Sequence, residues 1–216
     1  MTNSSQRHAL LVCALASDAD QKDSQSYGLT VAVDGGLAWF RTRGITPDLF
    51  LGDGDSARAD DQSWARENGT EFQLVSPDKD YTDFDLALEA CEQRGIVSAT
   101  VIGALGGRID QQLGIFGSLL RHPALQTVVR DAQQFVTLVR AGQEYCCAEP
   151  VTTFGVVALE PAIVTVSNAR WPLQRAHLEP LSTWGISNEP QGGQPQVSVQ
   201  QGAILFIGQF SKREEK

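Results

Sequence analysis

The 216-residue sequence holds only three histidines (His8, His122 and His177), spread far apart along the chain. Its four cysteines (Cys13, Cys91, Cys146 and Cys147) form no CxxC pair and no cluster with histidine. These scarcities leave no raw material for a zinc site, a papain-like dyad or a serine–histidine triad. Cys13 lies in an apolar run and Cys91 on an apparent helix face, which suggests buried thiols in a reducing compartment. No apolar run approaches the ~20 residues that a membrane-spanning helix needs. The best early stretch, 9–16, stops at Ser17-Asp18, and its flank is too weakly basic for a signal peptide. Basic residues are also outnumbered, 17 against 26 acidic, for a net charge of −9. A broad basic footprint for nucleic acid is missing. A soluble, cytoplasmic protein with no nucleic-acid or membrane partner is expected.

What is present is unevenly placed. Residues 48–92 carry thirteen acidic and three basic side chains, so the rest of the chain is close to neutral. Such a concentration is either a solvated acidic face or a place for bound cations. With 42% hydrophobic residues the chain can bury a core. Its first two-thirds alternate apolar strand candidates (10–16, 29–33, 49–51, 72–75, 100–102, 127–129) with helical segments (36–43, 59–68, 82–94, 110–121). Phe84, Ala87, Leu88 and Cys91 fall on one stripe of the third helix, and Thr82 with Asp85 imitates a capping box. Strand–helix alternation predicts a doubly wound, mainly parallel α/β domain over residues 1–141. Beyond it, short β-branched runs at 154–159, 163–166, 197–199 and 203–207 predict a smaller all-β sandwich domain over 142–216.

Four segments at the expected strand–helix junctions carry chemistry. Gly52-Asp53-Gly54-Asp55-Ser56 follows a strand; residues two apart share a face of extended chain, so two carboxylates converge as a hard cation such as Mg²⁺ requires. Asp78-Lys79-Asp80-Tyr81-Thr82-Asp83 leads into a helix whose first turn favours a carboxylate. Gly103-Ala104-Leu105-Gly106-Gly107-Arg108 ends at another helix start, with backbone N–H groups and one arginine suited to an anion. It matches neither GxGxxG nor GxxxxGK[ST], which excludes the Rossmann and P-loop fingerprints. Asp34-Gly35-Gly36 puts a further carboxylate at the same sheet edge. Each also has an ordinary reading: a turn, a helix cap, or for Lys79 a surface ion pair. Jointly they describe a Mg²⁺–polyphosphate site.

The ordered set resembles the thiamine pyrophosphokinase family. The matching segments are Asp34-Gly35-Gly36, Pro47-Asp48, Gly52-Asp53-Gly54-Asp55-Ser56, Asp78 to Asp83, and Gly106-Gly107-Arg108-Ile109-Asp110-Gln111. Arg170-Trp171-Pro172-Leu173 and Ser187-Asn188-Glu189 look like the family's later segments. Leu37 to Phe40 and Gly54 depart from its pattern. The resemblance implies transfer of the pyrophosphoryl group of ATP to the thiamine hydroxyl, giving thiamine diphosphate and AMP, in a homodimer holding thiamine between subunits. It implies Mg²⁺ on Asp34, Asp53, Asp55 and Asp83, with Asp53, Asp55, Asp83 and Arg108 catalytic. Gly35, Gly36, Lys79 and Thr82 would join Asp34 and Arg108 around the phosphates. Asp110, Gln111, Trp171, Ser187 and Asn188 would meet thiamine. The alternatives are a diphosphokinase for another alcohol, such as a hydroxymethylpterin, and a catalytically idle thiamine or nucleotide sensor.

Overall fold

The computed structural model describes residues 7–20 and 26–211. The chain divides into two compact units, residues 1–131 and 132–216. The division precedes the expected one after residue 141, because Gln134–Arg140 pairs antiparallel with Ala203–Gln209 of the second unit.

In the first unit six parallel strands run in the order β4-β3-β2-β1-β5-β6. They are β1 (His8–Val12), β2 (Leu29–Val33), β3 (Leu49–Gly52), β4 (Glu71–Leu74), β5 (Ser98–Ile102) and β6 (Gln126–Arg130). Helices α1 (Leu37–Thr42), α2 (Ala59–Glu67), α3 (Asp83–Gln93) and α4 (Ile109–Arg121) connect them. The central strands β1, β2 and β3 are buried almost throughout, as a sheet covered on both faces requires. Leu10, Val12, Ala32, Phe50 and Ile102 point to one face and pack with Leu37, Phe40 and Ala65 of α1 and α2. Leu11, Val31, Leu49, Leu51 and Val101 alternate to the other face, where α3 and α4 meet. The departure at 37–40 therefore has a packing basis: Leu37, Trp39 and Phe40 are core residues.

The expected first strand, 10–16, is cut short at Val12. Ala16 N–H donates to Cys13 O at 3.1 Å, turning the chain, and Leu15 N–H donates to Gly103 O at 3.0 Å. An apolar run does not distinguish a strand from a tight turn buried beside one. A second glycine constraint lies after β2: a Cβ on Gly36 would stand 1.9 Å from Val12 O.

The second unit is a sandwich of two antiparallel sheets. One has the order β7-β13-β9: Gln134–Arg140, Ala203–Gln209 and Thr153–Ala158. The other is β11-β10-β12-β8: Leu173–Leu178, Ala162–Ser167, Gln196–Gln201 and Glu144–Cys146. Strand β10 alternates buried and half-buried residues, the period-2 signature of one core-facing side. Phe206 centres the core, with the rings of Phe135, Phe154 and Tyr145 at 6.0, 5.4 and 4.9 Å.

The Gly36 contact generates a test. Gly36→Ala drives a methyl group into backbone, so it should destabilise the fold by about 3 kcal/mol or prevent folding. Urea denaturation measures this; a loss under ~1 kcal/mol contradicts the close approach.

Candidate active site

Strand order places the site. The chain winds outward from β1 to β4, and α3 then carries it back across to β5, on the far side of β1. The loops after β1 and β5 thus diverge at the carboxyl ends of adjacent strands, where open α/β sheets bind ligands. A cavity of about 180 Å³ lies there, lined by Cys13, Asp34, Thr82, Asp83, Arg108 and Gln111 among others. Gly103 makes its floor possible: it takes φ +73°, and a Cβ would lie 2.2 Å from Ala16 N.

Three carboxylates converge at this edge. Asp34 follows β2, Asp53 follows β3 and Asp83 opens α3, and one oxygen of each lies within 4.8 Å of the other two. Asp34 adopts φ +47°, the left-handed region that Asp and Asn tolerate better than most residues. Its Oδ1 is buried without a hydrogen-bond partner. Asp83 Oδ1 is likewise buried outside hydrogen-bonding geometry, although Lys79 Nζ lies 3.2 Å away. Unpaired carboxylate oxygens in a dry site are costly unless a cation satisfies them. An all-oxygen donor set of this kind fits Mg²⁺.

Burial is the first cause that pushes the Asp34 carboxyl above its usual value, with Asp83, Asp53 and Asp55 adding to it and a Ser56 hydrogen bond opposing. Burial likewise raises Asp83, against the opposing ammonium of Lys79. Asp53 is held below the usual range, chiefly by the backbone N–H of Asp55, which donates to its Oδ1 at 3.1 Å. Asp53 is thus the firmly ionised member. Asp55 itself is exposed and accepts from Ser56 Oγ at 3.0 Å; its carboxylate stands outside the three-residue group. Gly54 between them takes φ +81°, a conformation that strains any residue carrying a Cβ.

The other expected residues separate into those with free polar atoms and those already engaged. Lys79 is no surface pair: its side chain is 18% exposed, and Nζ lies 3.2 Å from Asp83 and 3.7 Å from Asp53. Thr82 caps α3, its Oγ1 accepting from Asp85 N–H at 3.3 Å. The imitation of a capping box stops there, because the buried Asp85 carboxylate pairs with Arg121 at the end of α4. Arg108 is exposed at the start of α4 and grips Asp110 through Nε–Oδ1 and Nη2–Oδ2 contacts of 3.1 and 2.6 Å. Gln111 lines the cavity. Asp48 binds Thr30 N–H and Oγ1 at 2.7 Å each, tying β3 to β2 before both strands reach the site. Sequence reasoning missed the Cys13–Leu15 loop, concealed in the over-long first strand. Cys13 lines the cavity, but burial pushes its thiol up to about 12, so it is no nucleophile at neutral pH.

In the second unit Trp171 is 52% exposed, which removes core filling as its role. The Arg170 guanidinium lies 4.7 Å over its ring. Asn188 is buried: its Oδ1 accepts from Trp171 N–H at 3.1 Å and Glu189 N–H at 2.9 Å, and its Nδ2 donates to Trp171 O at 2.8 Å. The amide is spent on backbone and fixes the Trp171 segment. Ser187, with φ +57°, lines a separate cavity of about 230 Å³ together with Phe154, Gly155 and Ile186.

The carboxyl shifts carry a sign. Asp34 and Asp83 hold protons more tightly in the folded chain than at the unfolded value of 3.8. Between that value and the raised ones the native state binds more protons, so their contribution favours folding as pH falls through this window. In their ionised form both carry a standing burial penalty. Asp34→Asn, which keeps the left-handed backbone accessible, should therefore raise the melting temperature of the protein in EDTA at pH 7 and flatten the gain on acidification. A lower melting temperature contradicts this assignment.

Residues 21–129 match the family model of the thiamin pyrophosphokinase catalytic domain, and residues 147–204 match that of the thiamin pyrophosphokinase vitamin B1 binding domain. Thiamine pyrophosphokinase of Bacillus subtilis is 24% identical over 189 residues, covering 85% of this chain and 88% of the relative. A crystal structure of a thiamin pyrophosphokinase family protein from Enterococcus faecalis superposes with a TM-score of 0.84 at 23% identity, covering 95% of this chain and all of that one. The thiamin pyrophosphokinase of Geobacillus thermodenitrificans gives 0.81 at 22% identity, over 95% of this chain and 99% of that one. With both domain models matched in order along the sequence, the chain belongs to the thiamine pyrophosphokinase family.

Proposed function

We propose that the protein moves the β,γ-pyrophosphoryl group of ATP onto the hydroxyl of thiamine, releasing AMP and thiamine diphosphate. The observation that carries this reading is the convergence of Asp34, Asp53 and Asp83 at the switch point of the sheet, Asp34 with a buried oxygen that has no hydrogen-bond partner and Asp83 with one met by the Lys79 ammonium alone. Mg²⁺ held by these carboxylates would neutralise the charge that builds on the transferring phosphates. The chain's own part is positioning. Phosphoryl-type transfer depends mainly on alignment and charge neutralisation, so the shortage of histidine is no obstacle. Asp55 buttresses Asp53 through its backbone N–H. Arg108 is free to exchange its exposed Asp110 partner for phosphate, and Gly35 and Gly36 act by letting the chain after Asp34 pack tightly against the loop after β1, which sets the Asp34 carboxylate at the site. Gln111, which lines the cavity, would meet thiamine together with Asp110 beside it at the start of α4.

Thiamine is a cation with an aromatic ring, and an exposed tryptophan face suits it. Trp171 supplies that face, with Asn188 as its positioning residue and Ser187 beside it. The reading takes the enzyme as a homodimer, supported by the exposure of Trp171, Leu181, Trp184 and Ile186 in the second unit. Its free thiols and its ATP substrate fit the cytoplasm. Among the described residues, no helix is long and apolar enough to cross a membrane.

The direct test incubates the protein with thiamine, ATP and Mg²⁺ and follows AMP and thiamine diphosphate. A hydroxymethylpterin offered instead should give no diphosphate. Asp53→Asn should lower turnover by about 10²–10³, the loss typical of removing a charge-stabilising group at a reacting phosphate. Turnover near that of the unaltered protein at saturating Mg²⁺ would sink the metal role.

Trp171→Ala separates recognition from packing. The ring is half exposed, so the melting temperature should change little. The apparent KM for thiamine should rise roughly 5- to 150-fold while that for ATP stays nearly constant. Equal rises in both constants, or a large loss of stability, would remove Trp171 from the thiamine site.

A further inference from the structure

Lys79 is the sole basic residue between Arg66 and Arg94, and its ammonium lies within the carboxylate cluster rather than in solvent. Nζ is 3.2 Å from Asp83 Oδ1 and 3.7 Å from Asp53 Oδ2, and it donates to the carbonyl of Ser76 at 3.1 Å. Two of the three carboxylates therefore already have a cation. A divalent ion drawing the oxygens of Asp34, Asp53 and Asp83 to ~2 Å must share Asp53 and Asp83 with a positive charge a few ångströms away. At such a separation two cations repel by on the order of kilocalories even when well screened.

The ammonium is also easily released. It stands on a flexible four-carbon stem, and its one neutral tether is the Ser76 carbonyl. An incoming polyphosphate offers it a better partner than a carboxylate already claimed by a metal. We propose that Lys79 is a built-in counter-cation that holds divalent ions off the cluster until polyphosphate draws the ammonium away, so that metal and nucleotide bind as a coupled pair. The inference rests on the metal reading of the cluster and adds to it a reason for the order of binding. By linkage, whatever Lys79 subtracts from metal affinity in the free protein it returns when phosphate is present.

The test uses opposite movements of two affinities. Mn²⁺, followed by the paramagnetic resonance signal of the free ion, is titrated into the nucleotide-free protein and into Lys79→Met, Lys79→Arg and Asp53→Asn. A non-hydrolysable ATP analogue is titrated separately in EDTA. Lys79→Met should bind Mn²⁺ about ten- to a hundredfold more tightly and the metal-free analogue at least about tenfold more weakly. Lys79→Arg, which keeps the charge, should stay close to the unaltered protein in both. A disturbed loop would weaken both ligands together and so overturn the proposal. Unchanged Mn²⁺ affinity in Lys79→Met, with binding still lost in Asp53→Asn, also overturns it and leaves the metal reading standing. Failure of any form to bind Mn²⁺ in an Asp53-dependent way defeats the metal reading and this inference together. Melting curves confirm that each variant is folded, and Lys79→Gln serves as the second neutral variant.

Discussion

Three carboxylates held within 4.8 Å of one another repel, and the first unit is built to withstand that repulsion. Each carboxylate arrives from a different element, and each element is fixed by something other than the site. Strand β2 enters with β3 latched to it through Asp48 and Thr30. Gly36 presses the chain after Asp34 against Val12 O, closer than any other residue allows. Asp85, two residues beyond Asp34's neighbour Asp83 in α3, is clamped by Arg121 of α4. These constraints let like charges persist together where a looser scaffold would let them drift apart. The residual strain is relieved in part by Lys79, and the unsatisfied oxygens of Asp34 and Asp83 show that the relief is incomplete.

The motifs therefore do two kinds of work, and residue identity alone does not say which. Asp48, Gly36 and Asn188 hold backbone in place; their polar atoms or missing side chains are fully used within the fold. Asp34 keeps a buried oxygen and Trp171 an exposed ring unspent, and Asp83 has only a displaceable ammonium beside its buried oxygen. Buried polar groups without partners are rare in folded proteins, so an orphaned atom is a sharper mark of function than membership of a motif. Asn188 and Trp171 show both kinds side by side: a fully bonded amide fixes the backbone that presents an exposed indole.

The sequence carried the alternation of the first unit because parallel strands and their helices have distinct periods, 2 and 3.6, readable over short windows. The sheet edge was legible for a related reason: glycine and aspartate at successive strand ends mark where chain turns meet ligand. Less was readable where local pattern and tertiary role diverge. The run 9–16 is uniformly apolar whether it extends or turns, and only Gly103 from a distant strand decides. Gln134–Arg140 is a short apolar run whose local pattern does not tell parallel from antiparallel pairing, so its partner, about seventy residues on, could not be seen. Spacing also over-counted the cluster: Asp53 and Asp55 share a face in ideal extended chain, but Gly54 at φ +81° breaks that alternation and turns Asp55 outward.

Charge ties the site to the proposed chemistry. Residues 48–92 carry ten more acids than bases, a surround that attracts cations and repels polyphosphate. Thiamine, being cationic, approaches such a surface readily, whereas free ATP does not. On the proposed reading nucleotide would enter with its charge masked by divalent cations together with the few positive groups at the edge, Lys79 and Arg108. Each of those is neutralised in the resting fold by a carboxylate neighbour, Asp83 or Asp110. On that reading the same ion pairs hold these cations in reserve for phosphate. Discrimination for metal-complexed nucleotide would then follow from these ion pairs, each of which gives up its cation only to a partner of higher negative charge.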